Sequence, residues 1–325
     1  QRTGLSNSIA GRNFVVSGVY SISNVEQILE SDVSVNHSKR RWAGVFGELR
    51  ADYKGLASLS VTGRWDWTST LLYEYSPYFY PSVTGGITCA ELIPVMTDTK
   101  YDWFSFLKLR GNWAMVGKDA PAYLFDRRFG PFPTLPDGGY SYNPALSTGF
   151  NLRPEMSTSW EVGLDIRFFA GRTRLDVAYY SIQTNNQIVT VRVPVTAGYV
   201  LQTRNEGSVK NHGVEISLEQ DIIKNSDWTW TAAFNLGLNR GVVVDLPDDV
   251  DRIAGTQYGD IFPAAYRGGS TTALLGADYL RTEDGTIICD DKGYPQISPK
   301  KENLIGNREP IFMSGLSTTV KYKGW

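Results

Sequence analysis

An all-β, antiparallel fold is what this sequence predicts, and three observations predict it. Hydrophobicity alternates with a period of two over stretch after stretch. The 325 residues include 9 Trp, 18 Tyr and 14 Phe together with 32 Gly and 15 Pro, a composition of strands joined by many turns. Helical periodicity is scarce, with only 24–31, N-V-E-Q-I-L-E-S, carrying a helix-like flavour. Two architectures satisfy all three. One is a large soluble β-sandwich, and the other is an outer-membrane β-barrel or part of one. No run of about 18 apolar residues occurs, so a transmembrane helix is excluded. Barrel strands need only about ten alternating residues, whose polar and apolar halves average out. A mean hydropathy of -0.25 therefore fits both architectures.

The strands follow in chain order. After a weak candidate at 12–22, the stretch 43–54 puts Val45, Gly47, Leu49, Ala51 and Tyr53 on one face and Phe46, Glu48, Arg50, Asp52 and Lys54 on the other. Lys54-Gly55 is a tight-turn signal. The stretch 56–67 then sets Leu59, Val61, Gly63, Trp65 and Trp67 against Ser58, Ser60, Thr62, Arg64 and Asp66. A weaker strand occupies 78–88. At 106–115, Leu107, Leu109, Trp113 and Met115 alternate with Lys108, Arg110 and Asn112. At 160–168, Trp160, Val162, Leu164, Ile166 and Phe168 oppose Glu161, Asp165 and Arg167. Ala170-Gly171 turns the chain into Leu175, Val177 and Tyr179, which alternate with Arg174 and Asp176, so a hairpin is expected. Weak strands at 186–195 and 198–205 precede Val214, Ile216 and Leu218 against Glu215, Ser217 and Glu219. Trp228, Trp230, Ala232, Phe234, Leu236 and Leu238 form the next apolar face, and Leu316, Thr318, Val320 and Tyr322 the last. Ten or eleven strands are expected in all.

Strand and connection lengths favour the barrel. Runs of about ten to twelve alternating residues exceed the usual globular strand and match a tilted membrane crossing. Short connections at 55, 170–171 and 221–227 interleave with long ones at 116–156, 183–206 and 240–310, as periplasmic turns and extracellular loops do. Trp65, Trp67, Trp113, Trp160, Trp228 and Trp230 sit where an interfacial girdle would place them; packed in a sandwich core, the same rings would serve equally well. The sandwich requires Trp160, Val162, Leu164, Ile166 and Phe168 buried against a second sheet. The barrel requires them exposed on the outside of one curved sheet.

Chemistry is sparse. The 32 basic and 34 acidic residues interleave without a basic stripe, so nucleic acid is a poor partner. No G-x-S-x-G, H-E-x-x-H, P-loop or dinucleotide fingerprint occurs, and His37 and His212 are the only histidines, so no enzyme is expected. Cys89 and Cys289 lack C-x-x-C spacing, which leaves no zinc site, and spacing does not decide whether they pair. Asp245, Asp248, Asp249 and Asp251, and Asp284, Asp290 and Asp291, have calcium-ligand chemistry without EF-hand spacing, so solvated loops are the simpler reading. No metal or cofactor is expected.

Several segments, taken together, resemble the barrel of the SusC/RagA-like TonB-dependent transporters of Bacteroidota. V-F-G-E-L-R-A-D-Y-K-G-L-A-S-L-S-V-T-G-R-W-D (45–66) resembles that family's strand pair built around F-G, Y-x-Y-K and R-x-D. F-Y-P-S-V-T-G-G (79–86), F-L-K-L-R-G-N-W-A-M-V-G (106–117), N-P-A-L (143–146) and R-P-E-M-S-T-S-W-E-V-G-L-D (153–165) follow in the family's order. N-E-G-S-V-K-N-H-G-V-E-I-S-L (205–218) is similar to N-x-G-x-x-x-N-x-G-V-E-x-x-L, and I-G-N-R-E-P (305–310) to I-G-N-P-x-P. Trp113, Gly86 and Arg308 depart from the pattern without disturbing the fold it implies.

The resemblance implies an antiparallel transmembrane β-barrel in the cell outer membrane, present in part. Residues 1–325 would be about half of a large plugged barrel of 22 strands. The plug domain, the TonB-contacting segment and the terminal strands would lie outside it. It further implies TonB-dependent import of nutrient oligomers, glycans or peptides, with a SusD-like surface lipoprotein and a TonB complex as partners. Glu48, Arg50, Asp52, Arg64, Asp66, Arg110, Asp165, Arg167 and Glu215 would face the lumen, with the apolar face toward lipid. Loop rings, chiefly Tyr123, Tyr140, Tyr142, Tyr258 and Tyr266 with Phe125 and Phe262 beside them, would meet substrate. The competing functions are a secreted, soluble β-sandwich that binds carbohydrate and a passive porin-like channel.

Overall fold

The computed structural model describes residues 2–10, 12–28, 33–89, 103–124, 129–131, 140–142, 146–148, 152–194, 196, 201–300 and 303–323. Nine long strands form one antiparallel sheet, labelled here in chain order: β1 Trp42–Tyr53, β2 Ala57–Thr68, β3 Tyr78–Thr88, β4 Phe106–Lys118, β5 Glu155–Phe168, β6 Thr173–Asn185, β7 Ser208–Lys224, β8 Trp228–Asp245 and β9 Met313–Tyr322. Within the sheet each strand pairs with the strands that precede and follow it in this order, an uninterrupted meander. Among the described residues β1 and β9 do not pair with each other, so the sheet is open. The all-β, antiparallel expectation holds, and 78–88 is a full member of the sheet.

Parity carries across the whole sheet because the register links like faces. Leu49 faces Val61, Val61 faces Val83, and Val83 faces Trp113. Trp113 in turn faces Trp160. On the other face Asp165 meets Lys108 and Asp176, and Asp176 meets Ser217. One face is therefore apolar from β1 to β9, and the opposite face polar and charged. Among the described residues nothing covers the apolar face. Trp160 is 43% exposed, Val162 48% and Leu164 37%, where an inter-sheet core would bury all three. The soluble β-sandwich is overturned on this point: apolar surface of this extent needs a nonaqueous neighbour.

Rings mark two levels on the apolar face. Near the long-loop end Trp65 packs on Phe79 (4.3 Å between centroids) and Trp160 on Tyr179 (5.2 Å). Near the short-turn end Trp228 packs on Tyr322 (4.4 Å), and Trp103 stacks with Phe168 (6.5 Å). Trp160 and Phe168 are eight residues apart on β5. That is about 27 Å of strand, or roughly 20 Å of height at a tilt of about 40°. An outer-membrane barrel's apolar band between its aromatic girdles is of this size.

Turn chemistry explains the short end. Lys54 and Gly55 both take positive φ (50° and 72°), the two-residue hairpin geometry whose twist suits paired strands. Asn225 closes the β7–β8 turn by accepting from the amides of Asp227 and Trp228. The other end is elaborate, and here expectation and structure part. Residues 240–245 extend β8, and the connection that follows folds into its own sheet of Arg252–Ala254, Ile261–Tyr266, Ala273–Gly276 and Asn303–Asn307. The weak candidates at 186–195 and 198–205 become Ile188–Arg192 and Leu201–Asn205, a small hairpin outside the main sheet. The expected strand at 12–22 shrinks to Arg12–Phe14. Of the helix-like 24–31, Asn24 ends a 3-10 turn, Ile22–Asn24, while Val25–Gln27 is extended in a short antiparallel pair with Arg12–Phe14, and 29–31 lie outside the described residues. Cys89 and Cys289 are both free.

Candidate functional site

The charged face of the sheet and the cavity at its long-loop end form the candidate site. All nine charged residues singled out from the sequence share this face, because each has the parity that the register assigns to it. The structure adds partners. Arg110 on β4 reaches across β5 to Asp176 on β6, with nitrogen–oxygen distances of 2.6 and 2.8 Å, and its Nε lies 3.7 Å from Glu161. Gly163 makes the crossing possible: a Cβ there would sit 2.6 Å from the guanidinium carbon of Arg110. Arg64 donates to Asp66 (2.8 Å), which also accepts from the Tyr80 hydroxyl. Asp165 pairs with Arg167 (3.3 Å), Arg50 with Asp52 (3.3 Å), and Glu48 accepts from Ser60 (2.8 Å). Arg174 pairs with Glu219 and approaches Asp221 at 4.0 Å. Glu215 stands opposite Ala178 and is exposed. Charges of both signs thus alternate over the face, leaving a polar, hydrated surface without a strong net field.

Above the face lies a cavity of about 580 Å³, lined by Arg40, Asp66, Tyr78, Asp119, Glu155 and Thr203 among others. Asp119 organises it. Its carboxylate is 7% exposed and accepts from Arg40, Thr68 and Thr70, each at 2.6 Å. The end of β2, the end of β4 and the segment leading into β1 are fastened at one point. A buried carboxylate with three donors is a rigid element at the base of the loops.

Tyr123, Tyr258 and Tyr266 are not gathered into one pocket. Tyr123 holds a positive φ of 64°, and its hydroxyl accepts from the Lys39 amide (2.9 Å), which ties it to the N-terminal hairpin beside the cavity. Tyr258 is 75% exposed on a separate loop, and Tyr266 ends a strand of the small sheet; neither lines the cavity. Tyr140 and Tyr142 belong to a three-residue strand paired with Phe129–Pro131, while Phe125 lies outside the described residues. The aspartates near 245–251 are held by arginines: Arg267 lies 3.2 Å from both Asp245 and Asp248, and Arg204 pairs with Asp249. Asp284 accepts from Thr282 and Thr286 hydroxyls, and Asp290 from the Lys292 and Tyr294 amides.

Asp176, Glu161, Arg174, Tyr80 and Asp119 were not singled out from the sequence. Parity marks the first three as polar-face residues. Nothing local marks Asp119, whose donors are 49, 51 and 79 positions away.

A family model described as "TonB dependent receptor-like, beta-barrel" matches residues 4–294. The chain belongs to that family. TonB-dependent receptor P3 of Formosa agariphila is 25% identical over 364 aligned residues, which take in 100% of this chain and 35% of the relative. TonB-dependent receptor SusC of Bacteroides thetaiotaomicron is 27% identical over 229 residues, 66% of this chain and 22% of SusC. Among solved structures, the RagAB peptide importer in its open-open state superposes with a TM-score of 0.75 at 19% identity, over 95% of this chain and 33% of that one. Its closed-closed state gives 0.74 at 18% identity, over 95% and 34%. The chain thus spans about a third of the length of the relatives it matches along its whole length. Its similarity to the SusC/RagA-like barrels and its barrel fold stand, and so does an outer-membrane location. Its relatives are receptors rather than enzymes.

Proposed function

We propose that this chain forms part of the wall of a plugged outer-membrane transporter that imports nutrient oligomers, glycans or peptides, with energy delivered through TonB. The observation that carries the reading is the division of one sheet into an apolar face with two ring levels, uncovered among the described residues, and a charged face crossed by ion pairs. In a barrel the first meets lipid and the second lines the lumen. Glu48, Arg50, Asp52, Arg64, Asp66, Arg110, Asp165, Arg167 and Glu215 then bound the passage, and balanced charge there lets oligomers pass without trapping either sign. The unpaired edges of β1 and β9 are completed by strands of the whole protein, since a membrane tolerates no open edge. A plug and a TonB-contacting segment belong to the same whole protein.

A SusD-like surface lipoprotein is the proposed partner at the long-loop end. Tyr123, Tyr140, Tyr142, Tyr258 and Tyr266 are the proposed substrate contacts there, a chemistry that suits sugar faces and peptide side chains alike. The test is uptake of labelled oligosaccharides and oligopeptides by cells carrying the full-length protein, with and without a working TonB complex. Loss of uptake without TonB supports the reading. Unchanged uptake without TonB would make the protein a passive channel, and uptake of neither class would remove nutrient oligomers as its cargo.

A further inference from the structure

We propose that the outer side of the sheet binds the phosphorylated headgroup of an outer-leaflet lipid at Lys210, His212 and Arg240, at the ring level of the long-loop end and just beyond it. The three residues have the parity of the apolar face. On β7, Lys210 and His212 continue the row Leu218, Ile216, Val214, and His212 pairs directly with Arg240 on β8, which continues Leu236 and Leu238. The ring level is fixed next to them, since Tyr179 pairs with Val214 and packs on Trp160.

Height places the cluster among headgroups. His212 and Arg240 stand in the register row of Trp160, through Ser181, and Lys210 lies two residues beyond that row. At about 3.3 Å per residue and a tilt of about 40°, Lys210 is roughly 5 Å above the ring level. The polar layer of a bilayer leaflet adds about 5–7 Å to the hydrocarbon core, so a cation here meets phosphate rather than acyl chain or open water. Long connections leave the sheet at this end, which makes it the extracellular one.

The cluster also has no salt bridge among the described residues, and its two cations point outward from the sheet. Across the sheet the charged face matches Arg110 with Asp176, Arg64 with Asp66 and Arg174 with Glu219. Lys210 and Arg240 are exposed, and neither has a salt bridge among the described residues. The outward positions around them are Trp160, Thr158, Ser181, Gln183 and Val242, and the Glu309 carboxylate nearby is held by the Asn239 side chain and the Gly241 amide. Two exposed cations on neighbouring strands, hydroxyl and amide groups beside them and apolar rings below form a surface complementary to a lipid phosphate with its acyl chains.

The test uses the full-length protein in detergent with diphosphoryl lipid A as the probe. The expected result is that Lys210→Gln with Arg240→Gln weakens binding about thirtyfold, the loss of two surface cations near a lipid phosphate. Lys323→Gln, at the opposite end of the sheet, leaves it unchanged, and Lys210→Arg retains it. Equal binding by the double variant would overturn the proposal. Equal binding of dephosphorylated lipid A would show that phosphate is not read. Competition by inorganic phosphate at equal concentration would reduce the site to one for free anions. Lipid binding is read separately from nutrient uptake, so either reading can fail alone.

Discussion

Leu164→Arg should destabilise the folded protein severely, while Ser217→Arg, one row away on the other face, should be nearly silent. Leu164 stands on the apolar face of β5, four residues from Trp160 and four from Phe168. At about 3.3 Å per residue and a tilt of about 40°, it is roughly 10 Å from each ring level, at the middle of the apolar band. It is 37% exposed with no second layer to shelter a charge. An arginine on the lipid face of a barrel at mid-depth costs about 2–4 kcal/mol. Ser217 lies on the charged face opposite Asp176 and Asn235, where a guanidinium gains a carboxylate neighbour and keeps its water. Its expected effect is within about 0.5 kcal/mol. The assay is denaturant unfolding of the full-length protein folded into lipid vesicles, with the two variants compared at matched slope. A Leu164→Arg penalty below about 0.5 kcal/mol, or equal penalties for both variants, would refute the assignment of faces from which the transporter reading is built.

Three further outcomes follow from individual contacts. Gly163→Ala puts a methyl group where the Arg110 guanidinium lies and should break its pair with Asp176. With those side chains 33% and 44% exposed the cost is at most about 1 kcal/mol, and Asp176→Asn should add nothing further in that background, as a double-mutant cycle would read. Asp119→Ala removes the acceptor shared by Arg40, Thr68 and Thr70. Amide exchange near 33–40 and 68–70 should accelerate by an amount equivalent to about 2 kcal/mol, with the distant β7–β8 turn unaffected. In the long β8–β9 connection, the Thr282 hydroxyl, then the residue's own amide and Thr286, hold the Asp284 carboxyl below its ordinary value of 3.8. A depressed folded value means that this turn is fully favoured above pH 3.8 and loosens as pH falls through the lower folded value. A carbon-13 titration of Asp284 with a midpoint at or above 3.8 would contradict it.

What could be read from the sequence was whatever parity alone decides. Which side of a strand a residue faces depends only on its neighbours two positions away, so Glu48, Arg110 and Glu215 are assigned to one face without knowing which strands pair. The partners of those residues depend on register, and register is nonlocal. Arg110 and Asp176 are 66 positions apart, with a whole strand between them. The long connection failed for a related reason: 252–254, 261–266, 273–276 and 303–307 are short and lack the sustained alternation that revealed the main sheet.

Glycine supplies a link between parity and register. A strand side chain as long as arginine can lie across its neighbour only where that neighbour lacks a Cβ. Gly163 has the parity of the charged face, and it stands opposite Arg110 on one side and Ala178 on the other. A small residue flanked on both sides by charged rows therefore marks a place where ions meet across an intervening strand. Given strand order, such a glycine turns a list of polar-face residues into a list of pairs. The same reasoning separates the two faces by function. Where cations share a row with carboxylates, as for Arg110 and Arg174, their charge is spent within the sheet. On the outward row of Lys210 and Arg240 the neighbours are serine, glutamine and valine, and a lipid phosphate is the anion proposed to balance these cations.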